Sequence, residues 1–310
     1  MRELIRDTRI DFMRHGRVAL IISGTLVLLA IALFVVRGMS WGLDFTGGTM
    51  VEVGYPESVA IPEVRATLAA AGFDDAQAQH FGTSREVLIR IPPRGELDSA
   101  DLSGQVLAAL RGDNPDVEMR RVEFVGPQVG QELVEQGGLA MLYALIGIMI
   151  YVTLRFEWRL ALGTIMALSH DALIVIGLFS LFQIEFDLSV LAAILAVIGY
   201  SVNDSVVVLD RIRENFRRMR KGTILDIVNA SVNQTLSRTV VTSGTTLLAV
   251  LALLLLGGPV MNNFALALMI GVLVGTYSSI YVAGAGAVWL GLKREDMIPP
   301  KPKQEVDDTP

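Results

Sequence analysis

The amino-acid sequence predicts a polytopic α-helical membrane protein: six transmembrane helices, with one external α+β domain of ferredoxin-like order inserted between the first and second. Three observations lead there. The 310 residues are 52% hydrophobic and 19% charged, more apolar than a soluble domain of ordinary composition. The apolar residues gather into six blocks, each close to the roughly 20 residues that cross a hydrocarbon core of about 30 Å as helix. The one long interval between blocks, residues 37–137, carries strand and short-helix patterns instead.

The blocks cover residues 18–36, 138–154, 161–183, 188–209, 239–256 and 264–290. Residues 1–17 precede the first and carry Arg2, Arg6, Arg9, Arg14 and Arg17, a charged start of the kind signal peptides have. The apolar run behind them, about 19 residues, exceeds the 7–15 of a signal-peptide core, and no small-residue cleavage site follows. An uncleaved anchor at 18–36 is expected. Lys and Arg crowd the N-terminus, the RFEWR loop at 155–159, the segment 210–238 and the tail, whereas IEFD at 184–187 and GGPVMNN at 257–263 have none. Basic loops stay in the cytoplasm, so both termini are expected there and residues 37–137 outside. The net charge of −6 does not bear on this, because long acidic loops cross membranes largely regardless of charge.

Residues 138–292 are expected to form a five-helix transmembrane bundle that includes a cytoplasmic amphipathic segment, 210–238. There Ile224, Leu225, Ile227, Val228, Val232 and Leu236 recur near helical spacing, which suits a helix lying on the inner membrane surface. GVLVG at 271–275 and AGAGA at 283–287 are small-residue stretches that favour close helix packing. The tail 293–310, proline-rich and charged, is expected to be disordered. The absence of cysteine excludes disulfides, thiolate metal sites and a cysteine nucleophile, and no cofactor is expected.

Within the external interval, GTMVEVGY (48–55) alternates as a half-buried strand, and PEVRATLAAAG (62–72) reads as a helix closed by glycine. AQAQHF (76–81) and REVLIRI (85–91) read as strands, LSGQVLAALRG (102–112) as a second helix and DVEMRRVEFVG (116–126) as a longer strand. The order β-α-β-β-α-β is that of the split βαβ arrangement. His80 is isolated, and Asp74 and Asp75 sit in a turn signal, so this domain reads as an interaction module. WGLDFTGGT (41–49) and VGPQVGQEL (125–133) bracket it. Their glycines read as turns between membrane and domain, and their spacing follows no phosphate-binding fingerprint.

Polar and ionisable residues interrupt the apolar blocks. Asn203 and Asp204 stand inside the fourth, His170 and Asp171 inside the third, and Arg238 opens the fifth. An ionisable group within a span is costly and marks a functional site by default. At 1.5 Å per residue, Asp204 lies roughly 9 Å inside the cytoplasmic end, and His170 and Asp171 roughly 14 Å, near mid-membrane. Arg238 can extend along its helix toward the depth of Asp204. Burial drives a carboxyl group toward its protonated form and an approaching guanidinium restores the ionised one, so changing their separation would load and release a proton. Each group also has a plainer reading: Asp204 as a static hydrogen-bonding group, Arg238 as a topology anchor, His170 with Asp171 as a polar pair between helices. Asn203, Ser201, Ser205, Thr242, Ser243, Thr245 and Thr246 orient water or pack across helices. Asp, Asn and Ser oxygens also suit a hard cation such as sodium.

GLDFTGGT after a first span, VGPQVG before the second, the pair His170 and Asp171, and GYSVNDSVVVLDRIREN (199–215) followed by TLSRTVVTSGTT (235–246) occur in order over nearly the whole chain. Together they resemble the SecD/SecF family of bacterial protein-export subunits, within the resistance-nodulation-division transporter superfamily, and specifically its separate SecF-type half. The resemblance implies an accessory subunit, not an enzyme, that pairs with SecD and uses the proton-motive force to help the Sec translocation channel (SecYEG) move polypeptides across the cytoplasmic (inner) membrane. It implies YajC and the insertase YidC as further partners. It assigns proton-coupled roles to the aspartate of the ND pair and the arginine of the SRT segment, here Asp204 and Arg238, beside which Asp171, His170 and Asn203 complete the expected proton pathway. Two other functions fit the residues. One is half of a proton-coupled small-molecule or lipid exporter of the same architecture, against which the modest external loop speaks. The other is a non-transporting membrane scaffold.

Overall fold

The computed structural model describes residues 8–94, 99–219 and 221–294; the tail from residue 295 lies outside the described residues. Among the described residues six helices are long and apolar enough to cross a membrane. They are α1 (Gly16–Arg37), α5 (Pro127–Arg155), α6 (Trp158–Phe182), α7 (Leu188–Arg218), α8 (Ile224–Leu256) and a composite sixth. The sixth runs as α9 (Pro259–Ser278), a π-helical stretch (Ser279–Gly284) and α10 (Ala285–Trp289). Short elements fill the interval after α1: β1 (Ser40–Trp41), α2 (Leu43–Thr46), β2 (Gly48–Gly54), α3 (Ile61–Ala70), β3 (Gln77–Phe81), β4 (Thr83–Ile91), α4 (Ser99–Asp113) and β5 (Glu118–Val125).

The sheet order β3-β4-β2-β5, antiparallel throughout, puts β4 between β2 and β3. This is the ferredoxin-like split arrangement that the element order predicts. Alternation decides which face is buried. Val51 and Val53 of β2 stand opposite Ile89 and Val87 of β4, all four fully buried. Val64 and Leu68 of α3 and Val106 and Leu110 of α4 cover them. Each such side chain contributes about 1.5–3 kcal/mol relative to exposure, which makes the domain a core of its own.

The two glycine-rich segments are more than turns. Pro127 opens α5 directly after β5, because its missing N–H costs nothing in a first helical turn. VGPQVG is therefore the base of a helix that rises without a break into the second span. The other segment folds into α2 and then turns through Gly47 and Gly48 at φ 66° and 119°, which L side chains rarely adopt. The two segments pack on each other: a Cβ on Gly130 would meet the Gly47 nitrogen at 3.2 Å and the Asp44 carbonyl oxygen at 3.4 Å. The GLDFTGG segment also docks on the loop between the third and fourth spans. β1 pairs in parallel with β6 (Glu185–Phe186), Gly42 N–H donates to the Phe186 carbonyl at 2.7 Å, and Asp44 Oδ2 accepts from Leu188 N–H at 3.0 Å.

In the bundle α6, α7 and α9 form the centre, with α1 packed on α6 and α8 against α7 and α9. The GVLVG stretch serves the contact its small residues suggest. Gly271 leaves no room for a Cβ beside Val197 of α7, and Gly275 abuts Ser201 and Asp171. The segment 210–238 is not a separate surface helix. α7 runs on to Arg218, and α8 starts at a capping box in which Thr223 and Asp226 exchange hydrogen bonds, then continues unbroken through the fifth span. No breaker separates the amphipathic turns from the apolar ones, so one helix carries both. Its apolar face is covered by protein: Ile227, Val228 and Val232 pack with Ile212 and Phe216 of α7. Asn215 Nδ2 donates to Ser231 Oγ and Gln234 Oε1, both at 2.9 Å, across the same seam.

Candidate functional site

α7 presents Ser201, Asp204, Ser205 and Val208 on one buried stripe, the i, i+3, i+4, i+7 spacing of a helix face. Asp204, 4% exposed, accepts two hydroxyl hydrogen bonds from different helices. Thr239 Oγ1 of α8 donates to Oδ1 at 2.8 Å, and Ser279 Oγ at the start of the π stretch donates to Oδ2 at 2.6 Å. Asp171 of α6 is completely buried. Its Oδ2 accepts from Ser201 Oγ at 2.5 Å and Ser278 Oγ at 2.7 Å, and its Oδ1 lies 2.9 Å from His170 Nδ1. A carboxylate partner assigns the ring proton to Nδ1. Nε2 of His170 is buried without a hydrogen-bond partner among the described residues, and so is Ser205 Oγ.

The sixth span connects the two carboxylates. Adjacent helical residues point about 100° apart, so Ser278 and Ser279 address different neighbours. The helix also widens at this point from α to π, a local change frequent at functional sites. Gly275, one turn earlier, permits the approach: a Cβ there would sit 3.4 Å from Asp171 Oδ2. Further along the same seam, Tyr200 donates to Ser243 Oγ at 2.9 Å, and Ser243 and Thr276 hydroxyls are 2.7 Å apart. Polar side chains of α6, α7, α8 and the sixth span thus form one buried cluster.

Two expected members lie outside it. Arg238 does not meet Asp204: it is exposed on α8, with no side-chain hydrogen bond or ion pair to any of the described residues. The residue that meets Asp204 is Thr239. One helical step separates them, and α8 turns Thr239 inward and Arg238 outward. Asn203, one step before Asp204 on α7, is exposed for the same reason. Thr242, Thr245 and Thr246 donate to carbonyls one turn back on their own helix, at 3.0, 2.9 and 2.9 Å. Thr239, Ser278 and Ser279 were invisible as site residues in the sequence; the only signal was a serine doublet in the otherwise apolar and aromatic stretch TYSSIY (276–281).

The arrangement accommodates a proton without orphaning a buried group. Ser279 Oγ also lies 3.1 Å from the Thr276 carbonyl, and Ser278 Oγ 3.2 Å from that of Gly275. A hydroxyl both donates and accepts. A protonated Asp204 could therefore donate to Ser279, which would then donate to the carbonyl behind it.

The model of the SecD/SecF C-terminal region of protein export membrane proteins matches residues 105–293, and that of the SecD/SecF GG motif matches residues 32–55. The protein translocase subunit SecF of Vibrio alginolyticus is 52% identical over 300 residues, covering 96% of this chain and 95% of that one. That of Escherichia coli O157:H7 is 49% identical over 302 residues, covering 97% and 94%. The crystal structure of SecDF, a translocon-associated membrane protein from Thermus thermophilus, superposes with a TM-score of 0.83 at 40% identity over 92% of this chain. SecDF in a super-membrane-facing form gives 0.70 at 39% identity over 93%. This chain spans 39% of the length of each of those two structures. Matched across its external segment, its carboxylate-bearing helices and nearly its full length, the chain belongs to the SecD/SecF family of protein export membrane proteins.

Proposed function

We propose that this chain is an accessory subunit of Sec protein export. Paired with SecD, it uses the proton-motive force to assist polypeptides through the Sec translocation channel of the cytoplasmic membrane, with both termini in the cytoplasm and without catalysing covalent chemistry. Support for the pairing comes from the SecDF structures, which are longer than this chain by more than half of their own length.

The observation that carries the proton coupling is the setting of Asp204: buried, bound by one hydroxyl on each oxygen, and linked to Asp171 through Ser278 and Ser279. Both protonation states of Asp204 keep their hydrogen bonds, which avoids the penalty of about 1–3 kcal/mol for an unsatisfied buried polar group. His170 is paired with Asp171 through Nδ1 and adds a second polar side chain to the same buried group. Arg238 completes the device from the outer face. A guanidinium on the exterior of a span is costly in hydrocarbon, and an acidic side chain of the SecD half is its natural counterion.

Asp204→Asn tests the reading, because it keeps size and hydrogen bonding but removes the titratable proton. Gradient-dependent translocation of a secretory polypeptide into inverted membrane vesicles should lose its gradient-stimulated component, while SecD still copurifies at normal abundance. Normal stimulation at normal abundance would reduce Asp204 to a packing group.

A further inference from the structure

α1 and α5 both pack on α6 yet share no extended face with each other, and the cleft left between them is a cavity of about 530 Å³ toward the external end of the bundle. Its walls are apolar: Ala30 and Phe34 of α1, Val134 and Met141 of α5, and Trp41 and Phe45 of the segment after α1. Trp41, Phe45 and Phe186 close that end as a set of edge-on and tilted rings 5.6–6.0 Å apart. The volume falls in the range of small-molecule sites, about 300–1,000 Å³. Most of its lining belongs to the membrane-spanning helices α1, α5 and α6, so an opening between them faces hydrocarbon.

A charge stands about one turn beyond the lining on α1. Ala30, Phe34 and Arg37 follow one another at i, i+4 and i+7 and share one face of α1, and side chains on a helix lean back toward its N-terminus, which directs Arg37 over the cleft. Arg37 is exposed and has no side-chain partner among the described residues. It is a basic residue at the external end of a span, where orientation by basic loops gives it no role. Trp41, 44% exposed at the rim, is the amphipathic residue favoured at the headgroup level.

We propose that this cleft binds one glycerophospholipid of the outer leaflet, with an acyl chain between α1 and α5 and the phosphodiester on the Arg37 guanidinium. The apolar walls select the chain. The planar guanidinium selects the phosphate by paired, charge-assisted hydrogen bonds. Bound there, the lipid braces the base of α5, which carries the external domain, against the first span.

The test uses the full chain with its partner in proteoliposomes containing phosphatidylethanolamine with a photoreactive diazirine on one acyl chain. Cross-links should map to α1 around Phe34 and to α5 around Met141. Gly138→Phe fills the cleft from a position where a Cβ meets nothing within 4 Å, and it should lower those cross-links at least fivefold at unchanged thermal stability. Arg37→Gln should lower capture of the phospholipid several-fold but leave capture of a diacylglycerol carrying the same diazirine unchanged. Cross-linking indifferent to both variants would overturn the site. So would a photoreactive amino acid in place of Phe34 that captures the partner subunit rather than lipid in native membranes.

Discussion

Ser278 and Ser279, neighbours in the chain, donate to different carboxylates: Ser278 to Asp171 at 2.7 Å and Ser279 to Asp204 at 2.6 Å. A shift of the sixth span therefore changes the hydrogen bonding of both acids together. The α-to-π transition falls between the two serines, so the point where the helix changes its winding is the point that joins the two sites.

This coupling is measurable. Ser279→Ala removes one donor from a buried carboxylate and is expected to cost about 1–3 kcal/mol. In a double-mutant cycle with Asp204→Ala, thermal unfolding of the detergent-solubilised chain should show losses less than additive, since both substitutions delete the same bond. Strict additivity would mean that Ser279 and Asp204 do not interact.

Arg238 and Thr239 should separate stability from function. Arg238 is exposed, so Arg238→Gln should leave the stability of the chain alone within about 0.5 kcal/mol, yet abolish gradient-driven translocation when SecD is present. Arg238→Lys should also impair it, because a compact ammonium does not reproduce the planar fork of donors. Thr239→Val should destabilise the chain by itself, by about 1–3 kcal/mol. Destabilisation of the isolated chain by Arg238→Gln would place the guanidinium inside the bundle.

Arg90 of β4 pairs with Glu185 of β6 and donates to the Trp41 carbonyl at 2.7 Å, at the seam between external domain and bundle. Burial pushes the Glu185 carboxyl above its ordinary value of 4.5, against the opposing pull of Arg90, and Asp187 and Asp44 add to the rise. A carboxyl group with a higher pKa docked than free takes up a proton on docking. Its contribution to docking is therefore present at low pH and is lost as pH rises from about 4.5 through the raised value. Glu185→Gln should flatten that dependence. Arg90→Met should loosen the seam near neutral pH, because it strands a buried carboxylate. Hydrogen exchange of the Trp41 and Phe186 amides against pH reads both effects, and an unchanged pH profile in Glu185→Gln would remove Glu185 as the titrating group.

The chain contains no cysteine, so single reporter cysteines test its orientation cleanly. An impermeant thiol reagent applied to intact spheroplasts should label Asp74→Cys, on an exposed turn of the external domain. Arg218→Cys, at the exposed end of α7, should react only after permeabilisation. The reverse pattern would invert the chain.

The sequence by itself determined the spans, the external domain and three of the buried ionisable groups. Hydrocarbon thickness and strand pleat act on local stretches of chain and leave a length and a period there, and a charge such as Asp204 stands out against an apolar run because it is costly in that setting. The helix rotations, by contrast, were settled only in three dimensions. Whether Arg238 or Thr239 meets Asp204 depends on how α8 is turned about its own axis, and that turn is set by Val232, Thr235 and Ser243 packing against the other helices. The same holds for Gly47 against Gly130 and for Ser278 against Asp171, pairs far apart in sequence. No single segment holds the information for such a contact, because it exists only once the packing of every helix has been decided together.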